Sequence, residues 1–251
     1  MQENILLAGV GGQGILSVAY VICNAALQEG LNFKQAEVHG MAQRGGAVQS
    51  HLRLSSDTIA SDLIPQGACD LLLSVEPLEA LRYLQWLGPD ASVVTSVNPH
   101  VNIPNYPEMS EVWTEMDRVK DVVPIDAASL AKQAGSPLAA NMVVLGAGST
   151  RLELKTETLE KWVGTLWRAK GDKVVDINVK AFHAGRKMAG FLDAAKQAGV
   201  EYAGLRALAV GVPVDSANVD EIEVWASLLR ETPEEQWKEA ISGKVGASAG
   251  A

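Results

Sequence analysis

The sequence predicts an α/β fold: a doubly wound, mostly parallel sheet with helices on both faces, followed by a helical C-terminal extension. Three observations carry that prediction. Apolar runs of strand length recur through the first half of the chain and alternate with helical periodicity. A glycine-rich turn joins the first such run to the first helix. From about residue 138 onward only helical patterns remain.

Asn4 to Val10 (NILLAGV) is continuously apolar, as expected of a strand buried on both faces. Ile15 to Gln28 then places Leu16, Ala19, Ile22 and Ala26 on one helical stripe, with Gly30 as the stop signal. Ala47 to Leu54 alternates apolar and polar, the pattern of a strand with one wet face. Asp70 to Val75 and Ala91 to Val97 read as buried strands separated by a helix over Pro77 to Trp86. Val119 to Ile125 is a further strand, and Ala127 to Ala134 a further helix. Leu138 to Gly146 opens the helical half. Thr156 to Arg168 follows, with Thr156 as the expected N-cap, and then Asp176 to Ala198, ended by Gly199. Beyond about residue 200 the pattern weakens to two short helices, Val219 to Arg230 and Pro233 to Ile241. The closing GKVGASAGA reads as a flexible tail. Residues 1–198 are expected to form one domain and 199–251 a helical extension with that tail.

The 251 residues are 47% hydrophobic and 20% charged, ordinary values for a soluble globular protein. Lys plus Arg number 21 against 30 Asp plus Glu, a net charge of −9, which argues against nucleic acid as a partner. No apolar stretch reaches membrane-spanning length. Met1-Gln2-Glu3-Asn4 leads directly into a strand without a charged leader, so no targeting segment and a cytoplasmic location are expected. Cys23 and Cys69 fall in apolar segments and read as buried free thiols. Two cysteines are too few for a cubane iron–sulfur cluster or a structural Cys₄ zinc site.

The turn after the first strand is Gly9-x-Gly11-x-x-Gly14, with Gly12 and Gln13 between. Such a turn turns backbone N–H groups and the positive end of a helix toward an anion. A nucleoside-triphosphate loop is excluded, because Ile15-Leu16 stand where that motif needs Lys and a hydroxyl. A dinucleotide site needs an acid about twenty residues on. Glu37 is the candidate, although FKQAEV around it is more polar than a central strand should be. Three readings stay open on these residues: a dinucleotide, another anionic or protein ligand, or glycines that serve packing alone.

A second unusual stretch, Glu37 to Ala47 (EVHGMAQRGGA), sets His39, Gln43 and Arg44 among the glycines Gly40, Gly45 and Gly46. It reads as a loop that presents polar groups, with an ordinary solvated turn as the plain alternative. His51, His100 and His183 have no ligand-like spacing with His39, so no metal site is expected. No residue is assigned a catalytic role.

Together, GVGGQGI at Gly9 to Ile15 and EVHGMAQRGG at Glu37 to Gly46 resemble the small, gamma-type component of the 2-oxoacid:ferredoxin oxidoreductases, nearest to its indolepyruvate branch. The likeness continues through Ser50 to Arg53, Glu76 to Ala80 and Asn141 to Gly146, and fades near residue 198. The resemblance implies a complex that oxidatively decarboxylates a 2-oxoacid, an arylpyruvate such as indolepyruvate for the nearest branch. The acyl group passes to coenzyme A, and the electrons to ferredoxin. Thiamine diphosphate, its Mg²⁺ and [4Fe–4S] clusters are implied on a larger partner subunit. The Gly-Asp-Gly thiamine signature is absent, Gly171-Asp172-Lys173 being the nearest approach, and the cluster cysteines are absent too. By this resemblance, Gly9, Gly11, Gly12, Gln13, Gly14, His39, Gln43, Arg44, Gly45 and Gly46 are expected to form one surface at the carboxyl edge of the sheet. That surface would face the partner and the phosphates of coenzyme A, with Arg44 supplying charge. The alternatives are a free-standing NAD or FAD oxidoreductase and a non-catalytic interaction module.

Overall fold

The computed structural model describes the backbone of residues 1–39 and 45–249, and the side chains of 1–38 and 45–247. Among them, β1 (Gln2–Val10), β2 (Asn32–His39), β3 (Ala47–Ser55), β4 (Cys69–Ser74), β5 (Leu87–Ser96) and β6 (Val122–Ile125) form one sheet in the order β2-β3-β1-β4-β5-β6. β4, β5 and β6 follow β1 in parallel, whereas β3 runs antiparallel to both β1 and β2. Only β3 opposes the common direction, so the ends of β1, β2 and β4–β6 and the start of β3 share one edge. The sheet is mostly parallel in direction but mixed in its pairing.

The alternation of β1 divides the core. Ile5 and Leu7 point into the larger cluster, which also takes α1 (Ile15–Gln28). Leu6 and Ala8 point into a smaller one, against α2 (Pro77–Leu81) and α3 (Met109–Met116). α4 (Ala127–Ala134), α5 (Ala140–Gly148), α6 (Thr156–Trp167) and α7 (Asp172–Gln197) join α1 on the first face. The helix-on-both-faces expectation is therefore met. α5 and α7 cross at contact distance because Gly146 lies against the backbone of Phe182 and Gly185 against that of Val143. A Cβ at either glycine would collide with the facing carbonyl.

α8 (Tyr202–Gly211), α9 (Ile222–Glu231) and α10 (Trp237–Ala249) follow. Leu205 and Leu208 of α8 enter the larger cluster while Tyr202 packs on the smaller one, and α8 contacts β6. This helix thus straddles the β6 edge and shields an otherwise exposed strand.

Several elements differ from expectation. Asn32–His39 is a strand despite its polarity, because β2 is the outermost strand and pairs only with β3. The predicted Pro77 to Trp86 helix breaks after Leu81 and resumes as a 3₁₀ turn at Leu84–Trp86. Lys155, not Thr156, occupies the N-cap of α6, and no side chain caps it. α8 had no counterpart in the sequence pattern. α10 continues to Ala249 through the segment read as tail, with Ile241 buried and Lys244 bonded to Glu221. No helix among the described residues is long and apolar enough to cross a membrane.

Candidate functional site at the carboxyl edge of the sheet

The glycine turn leaves β1 and enters α1 at this edge. Gln13 closes the turn on itself: its N–H donates to the Val10 carbonyl at 3.0 Å, and its Oε1 accepts from the Val10 N–H at 2.7 Å. The side chain expected to present itself to a ligand is held locally through that oxygen. Gly9 is a packing glycine, since a Cβ there would lie 2.8 Å from Ile15 Cδ1. Gly12 (φ 103°) and Gly14 (φ 79°) adopt left-handed backbone that favours glycine. Gly14 is also pressed on by Asn141 of α5, whose Nδ2 donates to the Gly14 carbonyl at 3.1 Å.

Gly14 is the N-cap of α1, with no side-chain cap and no acid in the first turn. The Ser17 N–H turns back to the Gly14 carbonyl at 3.0 Å, the N–H groups of Ile15 and Leu16 open the helix, and its first turn carries no compensating carboxylate. α2 and α4 differ: Glu76 accepts from the Glu79 N–H and Asp126 from the Ser129 N–H. In front of the α1 start lies a cleft of about 390 Å³ whose lining includes Val10, Gly11, Gly12, Gly14, Leu16 and Glu37. Glu37 reaches it from β2, with its Oε1 accepting from Gln35 Nε2 at 2.7 Å.

The second motif meets the first here. Gly11 N–H donates to the Gly46 carbonyl at 2.8 Å, and Gly45 N–H to the Gly11 carbonyl at 3.2 Å. Of the predicted contact residues, Gly9, Gly11, Gly12, Gln13, Gly14, Gly45 and Gly46 are thereby brought together. His39 ends β2 at the same edge, but its side chain lies outside the described residues, as do Gln43 and Arg44.

A further segment, residues 97–108, completes the edge. Asn102 Nδ2 donates to the Gly45 carbonyl at 2.8 Å. Behind it Glu76, 1% exposed, accepts from the His100 N–H at 3.2 Å and from the Tyr106 hydroxyl. Burial, reinforced by that carboxylate, raises the Tyr106 phenol. Sequence reasoning missed Asn102 and Tyr106, which sit in a stretch with neither periodicity nor motif. Four exposed apolar side chains stand around the edge: Leu16 on the cleft, Val38 near the end of β2, Val101 beside Asn102, and Leu138 three residues before Asn141.

The two thiols do not come together as iron–sulfur cluster ligands would. Cys23 and Cys69 are buried in different clusters on opposite faces of the sheet. Burial pushes both thiols up to about 12, so both are held as protonated, unreactive thiols. No group of three or more His, Cys, Asp and Glu among the described residues could hold a metal ion.

With that geometry in place, likeness to known proteins becomes interpretable. The family described as pyruvate ferredoxin/flavodoxin oxidoreductase matches residues 4–188. The chain is 38% identical over 198 residues to indolepyruvate oxidoreductase subunit IorB of Archaeoglobus fulgidus, covering 75% of this chain and 96% of that one. It is 35% identical over 192 residues to the IorB subunit of Methanothermobacter thermautotrophicus, covering 74% and 96%. Among solved structures it resembles the gamma subunit of a keto/oxoacid ferredoxin oxidoreductase from Geobacter sulfurreducens, with 25% identity, a TM-score of 0.53, and 74% and 98% coverage. It also shares the fold of part of the 2-oxoglutarate:ferredoxin oxidoreductase from Magnetococcus marinus, solved with 2-oxoglutarate, coenzyme A and succinyl-CoA bound. There the identity is 23%, the TM-score 0.61, and the match spans 75% of this chain but 31% of that one. The family match over residues 4–188, together with 35–38% identity to IorB subunits across 96% of their length, leads to one conclusion: the chain belongs to the pyruvate ferredoxin/flavodoxin oxidoreductase family, as a small gamma-type subunit of the indolepyruvate branch.

Proposed function

We propose that this chain is the accessory subunit of a cytoplasmic indolepyruvate- or arylpyruvate-type 2-oxoacid:ferredoxin oxidoreductase. In this reading a larger partner carries thiamine diphosphate, Mg²⁺ and the [4Fe–4S] clusters. The present chain closes the coenzyme A side of the active site and forms the subunit interface. The observation that carries the reading is the uncapped start of α1 behind Gly11, Gly12 and Gly14, beside the loop that ends in Gly45 and Gly46. Backbone donors and a helix dipole with no carboxylate of their own suit a pyrophosphate. Glu37, across the same cleft, can accept from a ribose hydroxyl. Exposed Leu16, Val101 and Leu138 around these polar loops suit burial against a larger protein surface. Residues 1–198 would supply that domain, with 199–251 as an added extension. The chain itself supplies no catalytic residue in this reading. It binds and orients the nucleotide end of coenzyme A and excludes water from the interface.

The test is co-expression and co-purification with a thiamine-binding large subunit of this family, followed by arylpyruvate- and coenzyme A-dependent dye reduction. Arg44→Ala should raise the coenzyme A requirement or loosen assembly, and unchanged kinetics with unchanged assembly would refute the assignment of that loop. A dinucleotide reading retains one supporting observation, the position of Glu37 beside the glycine turn. A yellow or nicotinamide-loaded protein purified alone would favour it.

A further inference from the structure

We infer that the C-terminal extension builds a second site, in which Arg206 binds a small monocarboxylate with a flat apolar body. The site is a cleft of about 650 Å³ at the carboxyl ends of β5 and β6, roofed by α8 and α10. Val97 and Asp126 line it from the sheet, Trp113 from α3, and Arg206, Trp237 and Lys238 from the extension. Open α/β sheets place ligands outside the carboxyl ends of their parallel strands. The family match ends at residue 188, so the three extension residues lie beyond it. This site is separate from the glycine-turn cleft and does not depend on the function proposed for that cleft.

Arg206 is the unusual feature. Its guanidinium lies 5.0 Å from the centroid of the Trp113 ring, and among the described residues no carboxylate comes within ion-pair distance of it. Arg82, Arg118, Arg151 and Arg230 each hold a carboxylate, and Arg53 and Arg186 hold the neutral oxygens of Asn4 and Ser149, so Arg206 is set apart by its seat on the Trp113 ring. Held over the indole and without a carboxylate partner, the guanidinium keeps its N–H donors available to a ligand carboxylate, which a guanidinium can receive in two parallel hydrogen bonds. The neighbouring acid is already engaged, since Asp126 Oδ1 accepts from Asn98 Nδ2 and from the Ser129 N–H.

The remaining charges set the ligand class. Arg206 and Lys238 share the cleft with Asp126 and Glu234, and Asp117 lies beyond Arg206, so the surroundings suit a single negative charge paired with Arg206 better than a dianionic phosphate. Val97, Met109, Val210 and two indoles make most of its walls apolar. A single carboxylate on an apolar body satisfies both conditions. The aromatic faces favour a flat body over a branched one.

The experiment titrates the full chain with phenylacetate, followed by tryptophan fluorescence and calorimetry, with phenylacetamide and inorganic phosphate as controls. Saturable phenylacetate binding is expected, weakened about tenfold or more in Arg206→Ala and less in Arg206→Lys, with phenylacetamide and phosphate both binding far more weakly. Lys238→Ala, an exposed substitution that leaves the fold intact, should weaken binding about threefold, which keeps the proposal testable if Arg206→Ala misfolds. Absence of saturable binding up to about 10 mM would overturn the proposal. So would equal affinity in the Arg206 and Lys238 variants, or phosphate binding as tightly as phenylacetate.

Discussion

Gly11 donates its backbone N–H to the carbonyl of Gly46 across 2.8 Å, and that bond joins two motifs separated by a helix and a strand. It is possible because β3 returns antiparallel between β2 and β1. The β2–β3 loop is thereby placed at the same edge as the β1–α1 turn. Gln13 and Asn141 also hold the β1–α1 turn, while Asn102 of residues 97–108 bonds the Gly45 carbonyl on the other side.

The two left-handed glycines of the turn should respond differently to alanine. Gly12 faces open space, so Gly12→Ala meets backbone strain alone and should cost about 1 kcal/mol. Gly14→Ala adds a collision with Asn141 Nδ2 and should cost about 3 kcal/mol. Urea unfolding of both variants checks the order, and equal losses would show that Asn141 gives way freely.

Asn102 ties residues 97–108 to Gly45 through one hydrogen bond. Asn102→Ala should lower global stability by no more than about 1 kcal/mol while loosening the edge. Hydrogen exchange should show faster exchange at the Gly45 and Gly11 amides, with the β1 core unchanged. Unaltered protection at both amides would mean that the two glycine loops need no third strap.

Tyr106→Phe removes the hydroxyl donor to the buried Glu76 carboxylate and leaves the His100 and Glu79 N–H groups as its partners. A loss of about 1–2 kcal/mol is expected, because a buried carboxylate then lacks one donor. The denaturation midpoint should fall without a change in slope. An unchanged midpoint would place the Tyr106 hydroxyl outside the energetics of this edge.

Glu3 supplies a pH dependence at the opposite end of β1. It is 7% exposed, its Oε2 has no hydrogen-bond partner, and burial together with Glu153 and Asp70 raises its pKa to about 7. A carboxyl raised in the folded state binds its proton more tightly there than in the unfolded chain. Its contribution is therefore fully present below about pH 4.5 and is lost as pH rises to about 7. The loss should approach about 3 kcal/mol on that rise. Glu3→Gln should flatten this part of the stability profile, and parallel profiles for the two proteins between pH 5 and 8 would refute the assignment.

Much of the fold was legible because periodicity reports burial directly. The helices at Ile15–Gln28 and Ala127–Ala134 matched their apolar stripes to the residue, and NILLAGV marked the central strand. The polar FKQAEV was unreadable as strand because an edge strand has one unpaired side and needs little apolar surface. The helix at Tyr202–Gly211 was unreadable for a related reason: it straddles a sheet edge, so its apolar residues answer to two clusters rather than one stripe.

The sequence by itself determined the family and the order of strands and helices apart from β2 and α8, because both are written in local motifs and spacing. Only the tertiary structure decided that Gln13 closes its own turn, that Glu37 lines the cleft, and that Asn102 and Tyr106 belong to the site. It also decided that the extension forms a cleft around Arg206. Each of these rests on a contact across strands or between distant loops, and such contacts depend on strand order and direction, which local pattern does not encode.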